Sequence, residues 1–164
     1  TSTTIAAGIK KMGGADIIFA GRQAIDGDTA QVGPQIAQRL KLPVVTYVQK
    51  VEIQGDKVIV ERQLEDGYEK IEVQTPCLLT CVKELNEPRY MTISGIVDAY
   101  KKDITVWNHE DVKLDPAACG LNASPTQVAR SFTPPQKGKG EIFTGAPADM
   151  AAAVVGRLKE KHVL

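Results

Sequence analysis

Apolar positions in the first 107 residues switch between a helical and a strand period. Ile5, Ala6, Ile9 and Met12 recur at helical spacing, and Gly13-Gly14 stops that helix. Thr3 or Thr4 stands where an N-cap would. Asp16 to Gly21 is a short apolar run closed by glycine, which predicts a buried parallel strand. Pro34 to Leu42 places Ile36, Ala37 and Leu40 on one helical face, and Pro43 ends it. The start of this second helix has two readings. Asp28 with Gln31 makes a capping-box pattern. Gly33 followed by Pro34 at the first helical position is an equally good start, and a helix begun at Asp28 would be kinked at Pro34.

Val44 to Val48 reads as a strand, and an antiparallel meander follows it. Gly55-Asp56 and Asp66-Gly67 are its turn dipeptides, while Val51 and Ile53, Val58 and Val60, then Ile71 and Val73 keep a period of two. Tyr68 is out of step and predicts a turn or bulge. Cys77 to Val82 has the composition of a central strand. A loop from Lys83 to Ser94, a short helix from Gly95 to Lys102 with Ile96, Val97 and Tyr100 apolar, and a last strand from Ile104 to Trp107 complete the pattern, with Trp107 expected in the core.

From Asn108 to Gly140 the periodicity fades under Pro116, Gly120, Pro125, Pro134, Pro135, Gly138 and Gly140. That stretch is too long for an ordinary connection. It is either a disordered tail or a segment laid over a partner. Ala148 to Lys161 is a final helix with Met150, Val154, Val155 and Leu158 on one face. Asp149 near its start and Lys159 and Lys161 near its end suit the helix dipole. The order of elements is α/β. It predicts an open, mostly parallel sheet with an antiparallel meander over residues 1–107 and a long C-terminal arm and helix over 108–164.

Composition narrows the classes. A chain of 164 residues fits one domain, and 43% hydrophobic content is enough for a core. A net charge of +0 supplies no basic surplus for nucleic acid or an anionic membrane. No run approaches the roughly 20 apolar residues of a membrane span, and no signal peptide is visible. The chain opens on Thr1 without an initiating Met, which reads as a truncated or processed start. Cys77, Cys81 and Cys119 are odd in number and fit no metal or redox spacing, so they read as small buried hydrophobes in a reducing compartment. His109 and His162 have no Ser, Cys or acid at catalytic spacing. We therefore assign no catalytic residue and no metal ligand.

Chemistry concentrates after the first predicted strand. The loop Arg22-Gln23-Ala24-Ile25-Asp26-Gly27-Asp28-Thr29-Ala30-Gln31-Val32-Gly33 leads into a helix N-terminus, whose N–H groups and dipole favour phosphate. Loops at this place in open α/β sheets bind ligands. Gly27 and Gly33 let backbone approach closely, Thr29 and Gln31 can donate to phosphate oxygens, and Asp26 or Asp28 can accept from a ribose hydroxyl. The plainer reading is that Asp28 caps a helix and the glycines make turns. There is no P-loop lysine and no GxGxxG.

GRQAIDGDTAQVGP resembles the nucleotide-binding signature of electron-transfer flavoprotein beta subunits, and LNEPRYMTI resembles their recognition loop. The opening TSTTIA resembles the end of a family stretch that begins with a DRAFAGADT-like run, so roughly the first third of the family's chain is expected before Thr1. LNASPTQVARSF resembles the family's G-S-P-T-x-V piece, with Ala123 in place of the usual Gly. The resemblance implies an adenine-nucleotide-binding, Rossmann-like domain, with Gln23 to Gly33 on the phosphates and adenosine, Arg22 beside them, and Thr1 and Ser2 adding phosphate contacts. It implies AMP as a structural nucleotide in ordinary members, or a second FAD reduced by NADH in electron-bifurcating ones. The wording Gly27 to Gly33 looks more like the bifurcating type.

The resemblance also implies an alpha-subunit partner that binds the other FAD and is wrapped by the 108–164 arm, and an acyl-CoA dehydrogenase-type partner. That second partner would be met by Leu85, Asn86, Glu87, Pro88, Arg89, Tyr90 and Ile93, with Ile93 (Leu in most of the family) anchoring in its pocket rather than stapling a helix to the core. The expected setting is the bacterial cytoplasm, or the mitochondrial matrix in a eukaryote. Two other functions compete. A non-redox adenine-nucleotide sensor would need the loop but neither LNEPRY nor the arm, and a metal-dependent phosphotransferase would rest on Asp26 and Asp28 alone.

Overall fold

The computed structural model describes residues 1–164 and gathers them into two compact units, Thr1–Gln127 and Val128–Leu164. The first unit is built on one five-stranded sheet. In chain order its elements are α1 (Ser2–Lys11), β1 (Ile17–Gly21), α2 (Val32–Leu40), β2 (Val44–Gln54), β3 (Lys57–Gln63), β4 (Tyr68–Gln74) and β5 (Cys77–Cys81). Their spatial order is β1-β5-β2-β3-β4. β5 pairs in parallel with β1 and with β2, while β2, β3 and β4 form the antiparallel meander. The open α/β sheet expected from the sequence is present. Two of its four pairings are antiparallel, so the meander is as much of the sheet as the parallel half.

The central position of β5 explains its composition. Cys77, Leu78 and Leu79 are fully buried and Thr80 is 1% exposed, as a strand covered on both faces requires. Leu78 faces Ile36 and Ala37 of α2, with Ile9, Ile18, Ala20 and Leu40 packed around them. Cys77 and Leu79 join Val45, Val48, Val58, Val60 and Val73 in a second cluster between the parallel half and the meander. Each such aliphatic side chain contributes about 1.5–3 kcal/mol by leaving water.

Several local expectations change. The two runs from Val44 to Val48 and from Val51 onward are one strand, irregular in register between Val45 and Val48 and between Val48 and Lys50. The irregularity lies at Tyr47, whose φ is 58°, and not at Tyr68, which pairs regularly with Gln63. α2 begins at Val32, on neither predicted start. Pro34 then falls inside the first turn, where its missing N–H removes no helical bond, and Asp28 stands outside the helix with φ 52° instead of capping it. α1 follows Thr1 with no side-chain cap bond, so Thr3 and Thr4 lie inside that helix.

After β5 come a single 3-10 turn (Lys83–Leu85) and α3 (Ile93–Ala99). Thr92 caps α3, its Oγ1 accepting from the Gly95 N–H at 3.1 Å. No strand forms at residues 104–107, because no neighbouring strand takes up its backbone groups; Ile104 and Val106 are exposed. Trp107 is 38% exposed and carries Lys11 Nζ 5.7 Å from its ring centroid, a cation–π contact rather than a core position. Asn108 Oδ1 then accepts from the N–H groups of Glu110 and Asp111, at 2.9 and 3.0 Å. A 3-10 turn (Pro116–Ala118) and α4 (Gly120–Ala123) are the remaining pieces of this unit. Of the three cysteines only Cys77 is buried; Cys81 and Cys119 are partly exposed.

The second unit consists of chain without regular structure followed by α5 (Pro147–Glu160). Arg157 holds the two together, donating from Nε and Nη2 to Glu141 at 2.9 and 3.0 Å and from Nη1 to Glu160 at 2.7 Å. The guanidinium keeps the Glu141 carboxyl below its ordinary range. No helix is long and apolar enough to cross a membrane.

Candidate functional site

β1 runs out at Gly21, and the Arg22 N–H donates to the Cys81 carbonyl at 3.1 Å, which ties the start of the loop to the carboxyl end of β5. Ile25, Asp26 and Gly27 then turn, and the Asp28 N–H donates to the Ala24 carbonyl at 3.1 Å. Gln23 Nε2 donates to Asp28 Oδ1 across that turn. Asp28 and Ala30 hold φ of 52° and 51°. The left-handed region costs a non-glycine residue about 1 kcal/mol, so strain is stored in this loop. Ala24, Asp26, Gly27 and Thr29 are exposed, and Ile25 is 99% exposed.

Gly33 is the buried end of the loop. A Cβ there would lie 2.5 Å from Thr80 Cγ2, so glycine is required for α2 to reach β5. No side chain caps α2, no acid stands in its first turn, and Pro34 has no N–H to offer. The helix end therefore holds no carboxylate of its own to compete with an incoming anion.

Ser2 is brought to the same place. Its Oγ donates to Gln35 Oε1 at 2.9 Å and accepts from Arg39 Nε at 3.2 Å, and Gln35 Nε2 donates to Gln31 Oε1 at 3.3 Å. Ser2 is 5% exposed and thus part of the α1–α2 contact, next to Thr1 at the helix start. Gln35 and Arg39 escaped the sequence reading. They are ordinary polar helix residues whose only signal is their spacing of four.

The donors gathered here, namely the α2 N-terminus, the Thr29 hydroxyl and the Gln31 amide, suit a phosphate, and the Asp26 carboxylate can accept from a hydroxyl beside it. Nothing in the loop pairs a nucleophile with a base. Burial pushes the Cys77 and Cys81 thiols up and leaves them protonated.

The second predicted segment lies elsewhere on the same unit. Leu85 packs against the larger core cluster, while Asn86, Glu87, Pro88, Arg89 and Tyr90 are exposed. Ile93 opens α3 and is 84% exposed, so it does not staple that helix to the core. With Met91 and Tyr100 also exposed, this segment presents apolar side chains to solvent.

Residues 1–112 match the electron transfer flavoprotein domain. The chain is 67% identical over its whole length to the caffeyl-CoA reductase-Etf complex subunit CarD of Acetobacterium woodii, of which it covers 63%. It is 54% identical, again over its whole length, to an electron transfer flavoprotein subunit beta of Clostridium acetobutylicum, of which it covers 63%. It is 49% identical over its whole length to the acryloyl-CoA reductase electron transfer subunit gamma of Anaerotignum propionicum, of which it covers 64%. The chain thus spans a little under two thirds of the length of these relatives. With a domain match over most of its residues, an α/β sheet that ends in the signature loop, and full-length likeness to proteins of this kind, the chain belongs to the electron transfer flavoprotein family, on its beta-subunit side.

Proposed function

We propose that this chain forms the nucleotide-binding part of an electron-transfer flavoprotein beta subunit, and that Arg22 to Gly33, with Thr1 and the backbone of Ser2, whose hydroxyl is taken by Gln35 and Arg39, hold an adenine nucleotide. The observation that carries this reading is the uncapped, acid-free N-terminus of α2, pinned to β5 by Gly33 and placed at the carboxyl end of the parallel strands. The nucleotide is FAD or AMP. We favour FAD, with NADH as electron donor and bifurcation as the reaction type, on the wording of residues 27–33 and on the likeness to subunits named for caffeyl-CoA and acryloyl-CoA reductases.

The chain's residues bind and orient; the flavin, when bound, carries the electrons. Thr29, Gln31 and the α2 N–H groups take the phosphates, and Asp26 takes a ribose hydroxyl. The buried core under the loop keeps this geometry fixed. The partners in this reading are an alpha subunit, contacted by residues 108–164, and an acyl-CoA dehydrogenase-type enzyme, contacted by the Leu85–Ile93 segment through exposed Ile93. The setting is the bacterial cytoplasm.

Acid release of nucleotides from the full-length beta subunit co-expressed with its alpha partner tests this. Two FAD per heterodimer are expected. One FAD with one AMP would keep the loop assignment and remove bifurcation. Neither nucleotide would return the loop to a purely structural role.

A further inference from the structure

We propose a second anion site, built from Arg22, Tyr47 and Arg62, that takes a phosphate group. Three backbone connections bring these residues to one end of the sheet. The Arg22 N–H donates to the Cys81 carbonyl, the Val82 N–H donates to the Val48 carbonyl, and Val48 stands opposite Arg62 in the β2–β3 register. Together with Gln63, Leu64 and Glu65 they line a cavity of about 410 Å³.

Three independent features point to an anion there. Arg62 Nε is buried with no protein acceptor, while its Nη1 reaches Glu69 Oε2 only at 3.5 Å. The Arg62 side chain as a whole is 39% exposed, and a guanidinium so loosely paired gains from an anion that takes two of its outer N–H groups together. The Arg22 guanidinium lies over the Tyr47 ring, 5.7 Å from its centroid, which holds a second positive charge at the same cavity. Tyr47 itself is held at φ 58°, with its N–H donating to Thr80 Oγ1 at 3.2 Å. A bulky residue kept in the left-handed region by the structure around it is the kind of strain that gathers at binding sites. The cavity also lies beyond the carboxyl ends of β1 and β5, where open α/β sheets place ligands. Glu65 at its rim and Glu69, which reaches Arg62 at 3.5 Å, offset the two guanidinium groups, so an incoming phosphate must displace the long Glu69 contact to pair with Arg62.

Phosphate could arrive free or as part of a nucleotide held by the adjoining loop. This proposal shares Arg22 with the nucleotide reading but does not depend on it. The test titrates inorganic phosphate and AMP separately into the nucleotide-stripped full-length subunit, its Arg62→Gln and Arg22→Gln variants, and Arg62→Lys. In the parent, phosphate should broaden its ³¹P resonance saturably. Both glutamine variants should weaken phosphate by about tenfold or more, with Arg62→Lys intermediate because it keeps charge but not the fork. If AMP weakens in parallel, the site takes the nucleotide's own phosphate. If phosphate weakens and AMP does not, the site takes free phosphate, and the proposal stands apart from the loop. Parent protein that takes up phosphate but no AMP would sink the nucleotide reading alone. Phosphate affinity unchanged in both variants overturns the second site. Arg22 also belongs to the nucleotide loop, so if Arg62→Gln misfolds the deciding variant is Arg62→Lys, and phosphate affinity equal to the parent's there overturns the second site.

Discussion

Gly33 in the first turn of α2 and Thr80 of β5 approach so closely that a single methyl on Gly33 would stand 2.5 Å from Thr80 Cγ2. Thr80 is 1% exposed and its Oγ1 accepts from the Tyr47 N–H, so it has no room to swing aside. Gly33→Ala should therefore destabilise the fold by about 1–3 kcal/mol, the ordinary effect of overpacking. Thr80→Ser removes the clashing methyl and keeps the hydroxyl. The double variant should recover most of the loss, and urea unfolding of all four proteins measures that coupling.

The strained loop gives a second prediction. Ala30 holds φ 51°. Ala30→Val places a β-branched residue in the left-handed region and should lower stability by about 1–2 kcal/mol. Ala30→Gly relieves strain but adds unfolded-state freedom, so its net effect should stay within about 1 kcal/mol of zero. Thermal melts of the two variants should bracket the parent or nearly so. A valine variant as stable as the parent would contradict the strained geometry.

Cys77 makes stability fall at alkaline pH. Burial raises its thiol pKa above the ordinary 9.0. Below 9.0 both folded and unfolded chains keep the proton, so its contribution is fully present. As pH rises past that value the unfolded chain ionises first, and the contribution is lost up to the folded value. Urea midpoints between neutral pH and the alkaline limit should drop less steeply in Cys77→Ala than in the parent, even though the variant starts lower. A thiol reagent at neutral pH should reach partly exposed Cys119 well before Cys77.

The second unit should respond to acid. Arg157 holds the Glu141 carboxyl below 4.5 by its hydrogen bonds. The contribution of that pair is present above the ordinary carboxylate value and disappears as pH falls through the depressed one. Amide protection factors in α5, taken against the intrinsic rate at each pH, should fall at low pH. Glu141→Gln should show the same reduced protection already at neutral pH.

Much of the first unit is legible in the chain. The apolar run at 77–81, the Asp66-Gly67 turn and the alternation of Val58, Val60, Ile71 and Val73 each allow one structure, and that structure forms. Boundaries set by tertiary contact are not legible. α2 starts at Val32 because Gly33 must meet Thr80, a residue 47 positions later (80 minus 33). The strand expected at 104–107 fails because strand propensity without a neighbouring strand binds nothing. The loop at 22–33 was visible as a motif, whereas the role of Gln35 in joining Ser2 to Gln31 and the convergence of Arg22 with Arg62 depend on the sheet being assembled first.

The strand order β1-β5-β2 has a consequence for how the chain folds as it is made. β1 and β2 leave the ribosome before the strand that must lie between them. Ile17 finds its partner Cys77 only 60 residues later (77 minus 17), whereas β3 and β4 meet across a short turn. The meander can therefore zip early from local contacts, and the parallel half must wait with β1 and β2 apart. A premature β1–β2 ladder would shut out β5 and trap the chain in a collapsed, aggregation-prone state.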